Sequence, residues 1–594
     1  MTILRRAVTL LGLLYLGYRI TMTGAGAEPV LFVLLLGAEA FGVFRFALEG
    51  ALVRAPRPAM RHVDRHATLP ADVLVVVGDE SPADVRAAVL AASLVEGRES
   101  LCVVDVHDRP AVARLCQRLD VPRFAGVLEA DRGALLDTAI SLCGAPFTLI
   151  VPADVVVMPD VLSASLDSFL DSSVAVALPR IEEANALGPI DHLGYGEGWV
   201  RNEFVIGGLG EADALPWWSE LAVVRRAALD SVDGMARGDD TTLATGVRLR
   251  GAGWRVEDVS TVAGRRLAAG TDDEHLLRWA RDLHRRLGAL AHRDVRSNRG
   301  ALPRLGRWAM RGADVDVARA WQRITLVMVL FATLYTSALP LVADATTVMV
   351  MGAGWYGMAA LTRRLTYGSA DYQPWMMNDL RVLVTSVLVS WDVARGRPVP
   401  LREPGSAPGR RIRTVLLGGL HAALAASLVV FGTGILRAPH GDFATLVTLG
   451  LTAWLLAVVA NARSAVNRQQ MRQGYRTAEE LQVTSAAGDL RVVGVSPFGL
   501  DVVSARQLAL GAALELTLEL PRPNGLTLPV DVSAVVMRTS SEAGRGVAYL
   551  RFVQLDDARM DRITEYVAVV GGQRALRVGT RPDRALVPSV PSIR

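Results

Sequence analysis

Three aspartates stand where short apolar runs give way to loops. Asp105 falls at the end of the run Leu101 to Val106, Asp154 follows Thr148 to Val151, and Asp240 opens a helical stretch after Gly238-Asp239. Carboxylates placed in this way can touch a nucleotide, hold a divalent cation on a diphosphate, and take the proton of an attacking hydroxyl. Further along, Glu274-His275-Leu-Leu-Arg278-Trp279-Ala-Arg281 sets an indole beside a guanidinium. The indole offers an aromatic face to a sugar ring, and the guanidinium offers a planar donor fork to phosphate. Each feature alone has an ordinary explanation, since strand-end and helix-capping aspartates are common. Together they suit chemistry on a sugar nucleotide.

These residues need elements to hold them, and the chain supplies three kinds. Its 594 residues exceed what one core accommodates, so several domains are expected. A 51% hydrophobic content and a mean hydropathy of +0.29 point to membrane segments. Apolar stretches recur at Ala7–Thr23, Pro29–Leu48, Arg323–Ala343, Thr346–Leu361, Thr414–Leu436 and Phe443–Ala462, while Asp379–Trp391 reads as interfacial. Arg19 and Glu39 inside the first two are costly in a bilayer unless they pair or face a cavity. Arginines cluster on the sides of these stretches that carry the termini and the Pro398–Arg413 loop. Six spans with both termini cytoplasmic satisfy the positive-inside rule.

Between the second and third stretches the texture changes. Val73–Val77, Leu101–Val106 and Thr148–Val151 alternate with helical patterns, which predicts a parallel sheet covered on both faces, with its ligand crevice beyond the carboxyl ends of the strands. From about Glu479 the chain reads as β-strands near Leu490–Val495, Leu514–Leu520, Val530–Met537 and Gly546–Phe552, closed by a helix at Asp556–Val570, a small barrel. The tail after Gly571 is rich in Arg and Pro. Domain boundaries follow: a membrane hairpin over 1–48, a connector over 49–70, an α/β domain over 71–300, membrane helices over 301–462, a β domain with an Arg-rich linker over 463–572, and a tail over 573–594. Cys102, Cys116 and Cys143 are too few and too irregular for a disulfide framework or a zinc site. The chain contains no lysine, and a formal charge of +4 is small for this length, so nucleic acid is not indicated.

This layout resembles bacterial cellulose synthase catalytic subunits, in which two spans, a family 2 glycosyltransferase domain of GT-A type, further spans and a carboxyl-terminal PilZ domain follow one another. The family's Q-x-x-R-W appears as His275-Leu-Leu-Arg278-Trp279 and its T-E-D as Gly238-Asp239-Asp240. D-x-D appears as Pro152-Ala153-Asp154, D-D-G as Asp105-Val106-His107, and K-A-G as Asp131-Arg132-Gly133. The resemblance implies that Asp240 is the catalytic base and that Asp154 holds Mg²⁺. It implies further that Asp105, Asp154, Arg132, His275, Arg278 and Trp279 bind a UDP-sugar and a polysaccharide acceptor. PilZ domains carry R-x-x-x-R and [DN]-x-S-x-x-G; here Arg472-Gln-Gly-Tyr-Arg476 and Gly494-Val-Ser496-Pro-Phe-Gly499 match, with Gly494 in place of the acid or amide. That implies cyclic di-GMP binding by Arg472, Arg476, Ser496 and Gly499.

Two functions follow from these residues. In one, a multi-pass protein of the bacterial inner membrane transfers sugar from a UDP-sugar to a growing β-glucan-type chain and translocates it under cyclic di-GMP control, with a periplasmic or membrane partner subunit. In the other, the departures at Pro152, His107, Asp131 and His275 make the chain a pseudo-glycosyltransferase serving as a membrane scaffold or cyclic di-GMP sensor. A transporter is disfavoured, because a large α/β domain with this acid set has no role there.

Overall fold

The two amino-terminal apolar segments form helices α1 (Thr2–Met22) and α2 (Pro29–Leu52). The computed structural model describes residues 2–52, 68–126, 132–184, 206–238, 241–267, 272–336, 339–342, 345–367, 375–395, 410–437, 450, 452–460, 481, 483–485, 490–504, 507–522, 526–542 and 545–570. The chain divides into two units, the first comprising Met1–Arg57, Gly188–Pro216 and Ala269–Gln470, and the second Pro58–Leu187, Trp217–Ala268 and Met471–Arg594.

The first unit is helical, and its helices are tied by polar side chains. Arg19 of α1 and Glu39 of α2 form an ion pair of 2.9 Å, with the two residues 1% and 6% exposed. Further contacts are local: Tyr15 Oη donates to Glu39 Oε1 at 2.7 Å and Arg19 Nη1 donates to Thr23 Oγ1, while Arg19 Nη2 is buried without an acceptor among the described residues. The charges that looked costly in sequence are therefore each other's solvent, which is the condition under which such groups persist in an apolar bundle. Tyr15 also stacks on Trp355 of the Gly354–Tyr367 helix, with ring centroids 6.0 Å apart. Gln322 of the Gly312–Thr336 helix donates to the Ala38 carbonyl at 2.6 Å, and Arg363 pairs with Glu49 at 3.1 Å.

Helix boundaries differ from the sequence expectations in several places. The third stretch lies in a helix that begins at Gly312, whose first half carries Asp314, Asp316, Arg319 and Arg323. The fourth is broken into Ala345–Val348, a π-helical turn at Met349–Ala353, and Gly354–Tyr367. The segment expected to be interfacial belongs to a helix of 20 residues, Trp375–Ala394, and the fifth stretch to Arg410–Arg437. Of the sixth, only 450 and 452–460 are described, and they are helical. Among the described residues, α2 alone is long and apolar enough to cross a membrane; Val382–Ala394 and Thr414–Val429 are shorter apolar stretches. The arginines of α1 (Arg5, Arg6 and Arg19) lower its apolar character at both ends.

In the second unit, the valine run becomes strand β1 (Ala71–Val77), every residue of which is buried. β1 pairs in parallel with β2 (Arg98–Asp105) and β4 (Phe147–Pro152), and β2 pairs in parallel with β3 (Arg123–Ala125). Helices α3 (Pro82–Ser93), α4 (Pro110–Leu119) and α5 (Arg132–Ser141) connect these strands. α3 starts where Ser81 caps it, its hydroxyl accepting from Asp84 N at 3.2 Å with Pro82 in the first turn, where no N–H is missed. α4 starts at Pro110 and ends on Asp120 in a left-handed conformation, φ 53°. Four further strands complete the layer: β5 (Val155–Val157), β6 (Val174–Ala184), β7 (Ala222–Arg225) and β8 (Arg255–Leu267). The order is β3-β2-β1-β4-β7-β6-β8-β5. β7 runs antiparallel to β4 and β6, and β5 antiparallel to β8, so the sheet is mixed rather than wholly parallel. Because β2 lies on one side of β1 and β4 on the other, the connections diverge at β1, and a switch point opens beyond the carboxyl ends of β1 and β4.

The carboxyl-terminal strands β9 (Val483–Ser485), β10 (Leu490–Ser496), β11 (Gly499–Ser504), β12 (Ala513–Pro521), β13 (Thr527–Glu542) and β14 (Arg545–Val553) form an antiparallel sheet in the order β10-β11-β14-β13-β12-β9. A bridge from Leu481 to Val492 links the chain ahead of β9 to β10. Asp556 caps the following helix, Asp557–Glu565, by accepting from Arg559 N at 2.7 Å. Asp557 pairs with Arg86 of α3 at 2.6 Å and Arg118 of α4 at 2.8 Å, and Asp561 lies 3.3 Å from both arginines. Behind this charge cluster Tyr566 to Val570 are buried. The cysteines are free: Cys116 is buried, Cys102 and Cys143 are half-buried, and burial pushes the Cys143 thiol up to about 11.

Breaking one half of the Arg19–Glu39 pair leaves an uncompensated buried charge. Arg19→Met alone costs about 3–5 kcal/mol, while Arg19→Met with Glu39→Leu recovers most of that loss. Unfolding of the two variants in detergent measures both; equal destabilisation of the single and double variants contradicts the pairing.

Candidate functional site

The switch point collects charge from six separate parts of the second unit. The turn after β1 supplies Asp79 and Glu80. Glu80 Oε2 accepts from Gly78 N at 2.6 Å, and its carbonyl accepts from Arg109 Nη1 at 2.7 Å. Burial, then the nearby Asp154 carboxylate, and more weakly Glu220, hold the Glu80 carboxyl above its ordinary range, against backbone hydrogen bonds that pull the other way. His107 Nε2 lies 3.5 Å from Asp79 Oδ1.

Asp154 follows β4 and precedes β5. Strand pairing sets Val155 opposite Arg266 of β8, which brings the Arg266 guanidinium onto the aspartate next door. The contact is a fork: Nε lies 2.8 Å from Oδ2, and Nη2 donates to Oδ1 at 3.0 Å. Arg132, the first residue of α5, reaches Glu220 at 3.1 Å. Gly133 behind it is required by packing, since a Cβ there would collide with the Ala236 carbonyl. Glu80 responds electrostatically to both Asp154 and Glu220, so both arginine–carboxylate pairs bear on this carboxyl.

Asp105 has a different surrounding. It is fully buried at the end of β2, where Oδ2 accepts from Arg109 N at 2.8 Å and from Arg123 Nη1 at 3.0 Å, and Oδ1 accepts from His107 N at 3.4 Å. Arg123 Nη1 also lies 2.8 Å from Asp108, whose φ of 48° marks the tight turn. A carboxylate with this many internal donors fastens the β2–α4 loop, and that loop in turn delivers Arg109 to Glu80.

Of the residues expected from sequence, the structure thus brings Asp154 and Arg132 to one crevice, with Asp105 buttressing its wall. Arg278 and Trp279 belong to the first unit, on the Asp272–Ala291 helix. There Trp279 Nε1 donates to Ser386 Oγ at 3.2 Å, and the Arg286 guanidinium carbon lies 5.9 Å from the indole centroid. Asp240, Arg472 and Arg476 lie outside the described residues, as does the side chain of His275. Ser496 Oγ donates to the Gly499 carbonyl at 3.1 Å across the turn between β10 and β11. A Cβ at Gly499 would collide with the Leu550 carbonyl, so close pairing of β11 with β14 demands that glycine. Glu80, Glu220 and Arg266 escaped the sequence reading; for Glu80, the turn signal Gly78 to Pro82 directly after an apolar strand was the clue.

Mg²⁺ was expected at Asp154. Both oxygens of that carboxylate are taken by Arg266, and no three His, Cys, Asp or Glu side chains among the described residues form a metal-binding group. As the side chains stand, the donor set does not fit a resident divalent cation, which would have to displace a guanidinium from the aspartate.

No protein-family model and no curated protein matches the chain. Among solved structures it is similar to a mannosyltransferase from Pyrobaculum calidifontis in complex with GDP-Man and Mn²⁺, at 16% identity and a TM-score of 0.42, over 61% of this chain and 99% of that one. It is similar to glucosyl-3-phosphoglycerate synthase from Mycobacterium tuberculosis in complex with Mn²⁺, UDP and glucosyl-3-phosphoglycerate, at 11% identity and a TM-score of 0.29, over 42% and 86%. The Bacillus subtilis inhibitor of motility MotI/DgrA is similar at 24% identity and a TM-score of 0.17, over 19% of this chain and 56% of that one.

The raised Glu80 carboxyl has a consequence for stability. The folded protein holds this proton more tightly than the unfolded chain, so stability is lost as pH rises from the ordinary carboxyl range, about pH 4, through the higher folded value. Glu80→Gln therefore melts above the unsubstituted protein at neutral pH, and the gap closes as pH falls toward that ordinary range. Melting curves across the range test this; a gap independent of pH contradicts it.

Proposed function

We propose that the crevice at the ends of β1 and β4 takes the diphosphate of a nucleotide sugar, and that the chain is a membrane glycosyltransferase of cellulose synthase-like layout. On this reading it adds sugar from a UDP-sugar to a β-glucan-type acceptor at the bacterial inner membrane and passes the product outward through six spans. The observation that carries it is the gathering of Arg132, Arg266, Glu80, Asp154 and Glu220 at the switch point of the sheet, the place where an open α/β sheet receives its ligand.

In the transfer, the acceptor hydroxyl oxygen bonds to the anomeric carbon as the bond from that carbon to the donor phosphate breaks. The electron pair leaves on the diphosphate, and the hydroxyl proton passes to a carboxylate. Asp240 is the base by resemblance. Charge develops on the departing phosphate, where fixed donors stabilise the transition state more than the ground state. By resemblance Trp279 stacks on the acceptor sugar and Arg278 contacts the diphosphate, and Arg472, Arg476, Ser496 and Gly499 carry cyclic di-GMP control.

A second reading, a scaffold or cyclic di-GMP sensor without turnover, is favoured by one observation: Asp105 is enclosed by Arg109 and Arg123, and Asp154 is held by Arg266. Sugar incorporation from radiolabelled UDP-sugars in proteoliposomes, with and without cyclic di-GMP, separates the two. Transfer is expected, raised by the dinucleotide and lowered at least about 100-fold in Asp240→Asn. Dinucleotide binding without product from any donor would leave the scaffold.

A further inference from the structure

We infer that Arg266 and Arg132 supply the cationic charge on the donor diphosphate at this site, so that nucleotide binding proceeds without a divalent cation. This rests on the donor-binding reading above and concerns how the diphosphate is recognised.

Two observations carry it. First, the Arg266 fork engages both Asp154 oxygens, 2.8 and 3.0 Å away, at the position where the resemblance puts the metal ligand. A guanidinium therefore stands where a cation would bind, and it presents the planar donor geometry that fits phosphate as well as carboxylate. Second, Arg132 reaches Glu220 through a single contact of 3.1 Å, and Glu220, like Asp154, acts on Glu80. Arg132 Nε is buried without a hydrogen-bond acceptor among the described residues, as are Nε and Nη2 of Arg109, whose Nη1 is on the Glu80 carbonyl. Buried guanidinium donors without acceptors are costly, and phosphate oxygens are the acceptors such donors match. A divalent cation would meet Arg266 at Asp154 with a charge of its own sign.

In this arrangement Asp154 is a positioning residue. It orients the Arg266 fork and competes with the diphosphate for it. Removing that competitor frees the guanidinium, so Asp154→Asn should bind the diphosphate more tightly. A metal-ligating aspartate would give the opposite sign.

The test is calorimetric titration of the full-length protein in detergent with UDP, GDP and inorganic pyrophosphate, in EDTA and then in Mn²⁺. Expected are affinities in EDTA within about threefold of those in Mn²⁺, a loss of about 10- to 100-fold in Arg266→Ala and in Arg132→Ala, and a gain in Asp154→Asn. Arg266→Lys, which keeps the charge and loses the fork, should fall between Arg266→Ala and the unsubstituted protein, and melting temperatures identify any variant that fails to fold. Nucleotide binding that requires Mn²⁺, survives Arg266→Ala or Arg266→Lys and disappears in Asp154→Asn overturns this inference and leaves the donor-binding reading standing. No binding of any of the three anions under either condition overturns both.

Discussion

The fork between Arg266 and Asp154 fixes the chemistry of the second unit. It joins the start of β5 to the far end of β8, and it occupies the carboxylate that the chain's motifs assign to a metal. Around it the other contacts fall into order. Glu80 feels the carboxylates of this pair and of Arg132–Glu220, Arg109 holds the Glu80 backbone, and Asp105 fastens the loop that carries Arg109. Remove the fork and two opposite charges on neighbouring strands lose their partners at the rim of the crevice. The cost is moderated by their partial exposure.

The same principle governs the first unit with a different outcome. Arg19 and Glu39 are buried, and Tyr15 and Thr23 add hydrogen bonds to them. That pair is shut away from solvent, so it specifies how α1 meets α2 and offers little to a passing ligand. The crevice pairs retain solvent access. Burial separates a structural ion pair from one open to exchange partners.

Strands β1, β2 and β4 were legible because each is a continuous apolar run ended by an acid or a turn, and Asp154 and Arg132 because short motifs mark them. Arg266 was not. It sits 112 residues from Asp154, next to an identical neighbour, Arg265, and only the register of β5 on β8 selects which of the two reaches the aspartate. The mixed half of the sheet was hidden for a similar reason: β8 shows no regular apolar alternation, and strand direction is set by long-range pairing. β11 escaped because its six residues follow directly on a Pro-Phe turn and read as part of one loop. The Arg19–Glu39 pair was visible as a possibility, and packing of α1 on α2 realised it.

The most direct measurement of the central claim is photolabelling of the full-length protein in membranes with an azido-UDP-sugar, followed by peptide mapping. Labelling confined to the segments around Asp79–Glu80, Asp154 and Arg266, and competed by unlabelled UDP in EDTA, is the expected result. Competed labelling that maps to the β10–β11 turn or to the α1–α2 hairpin and spares those three segments would contradict it.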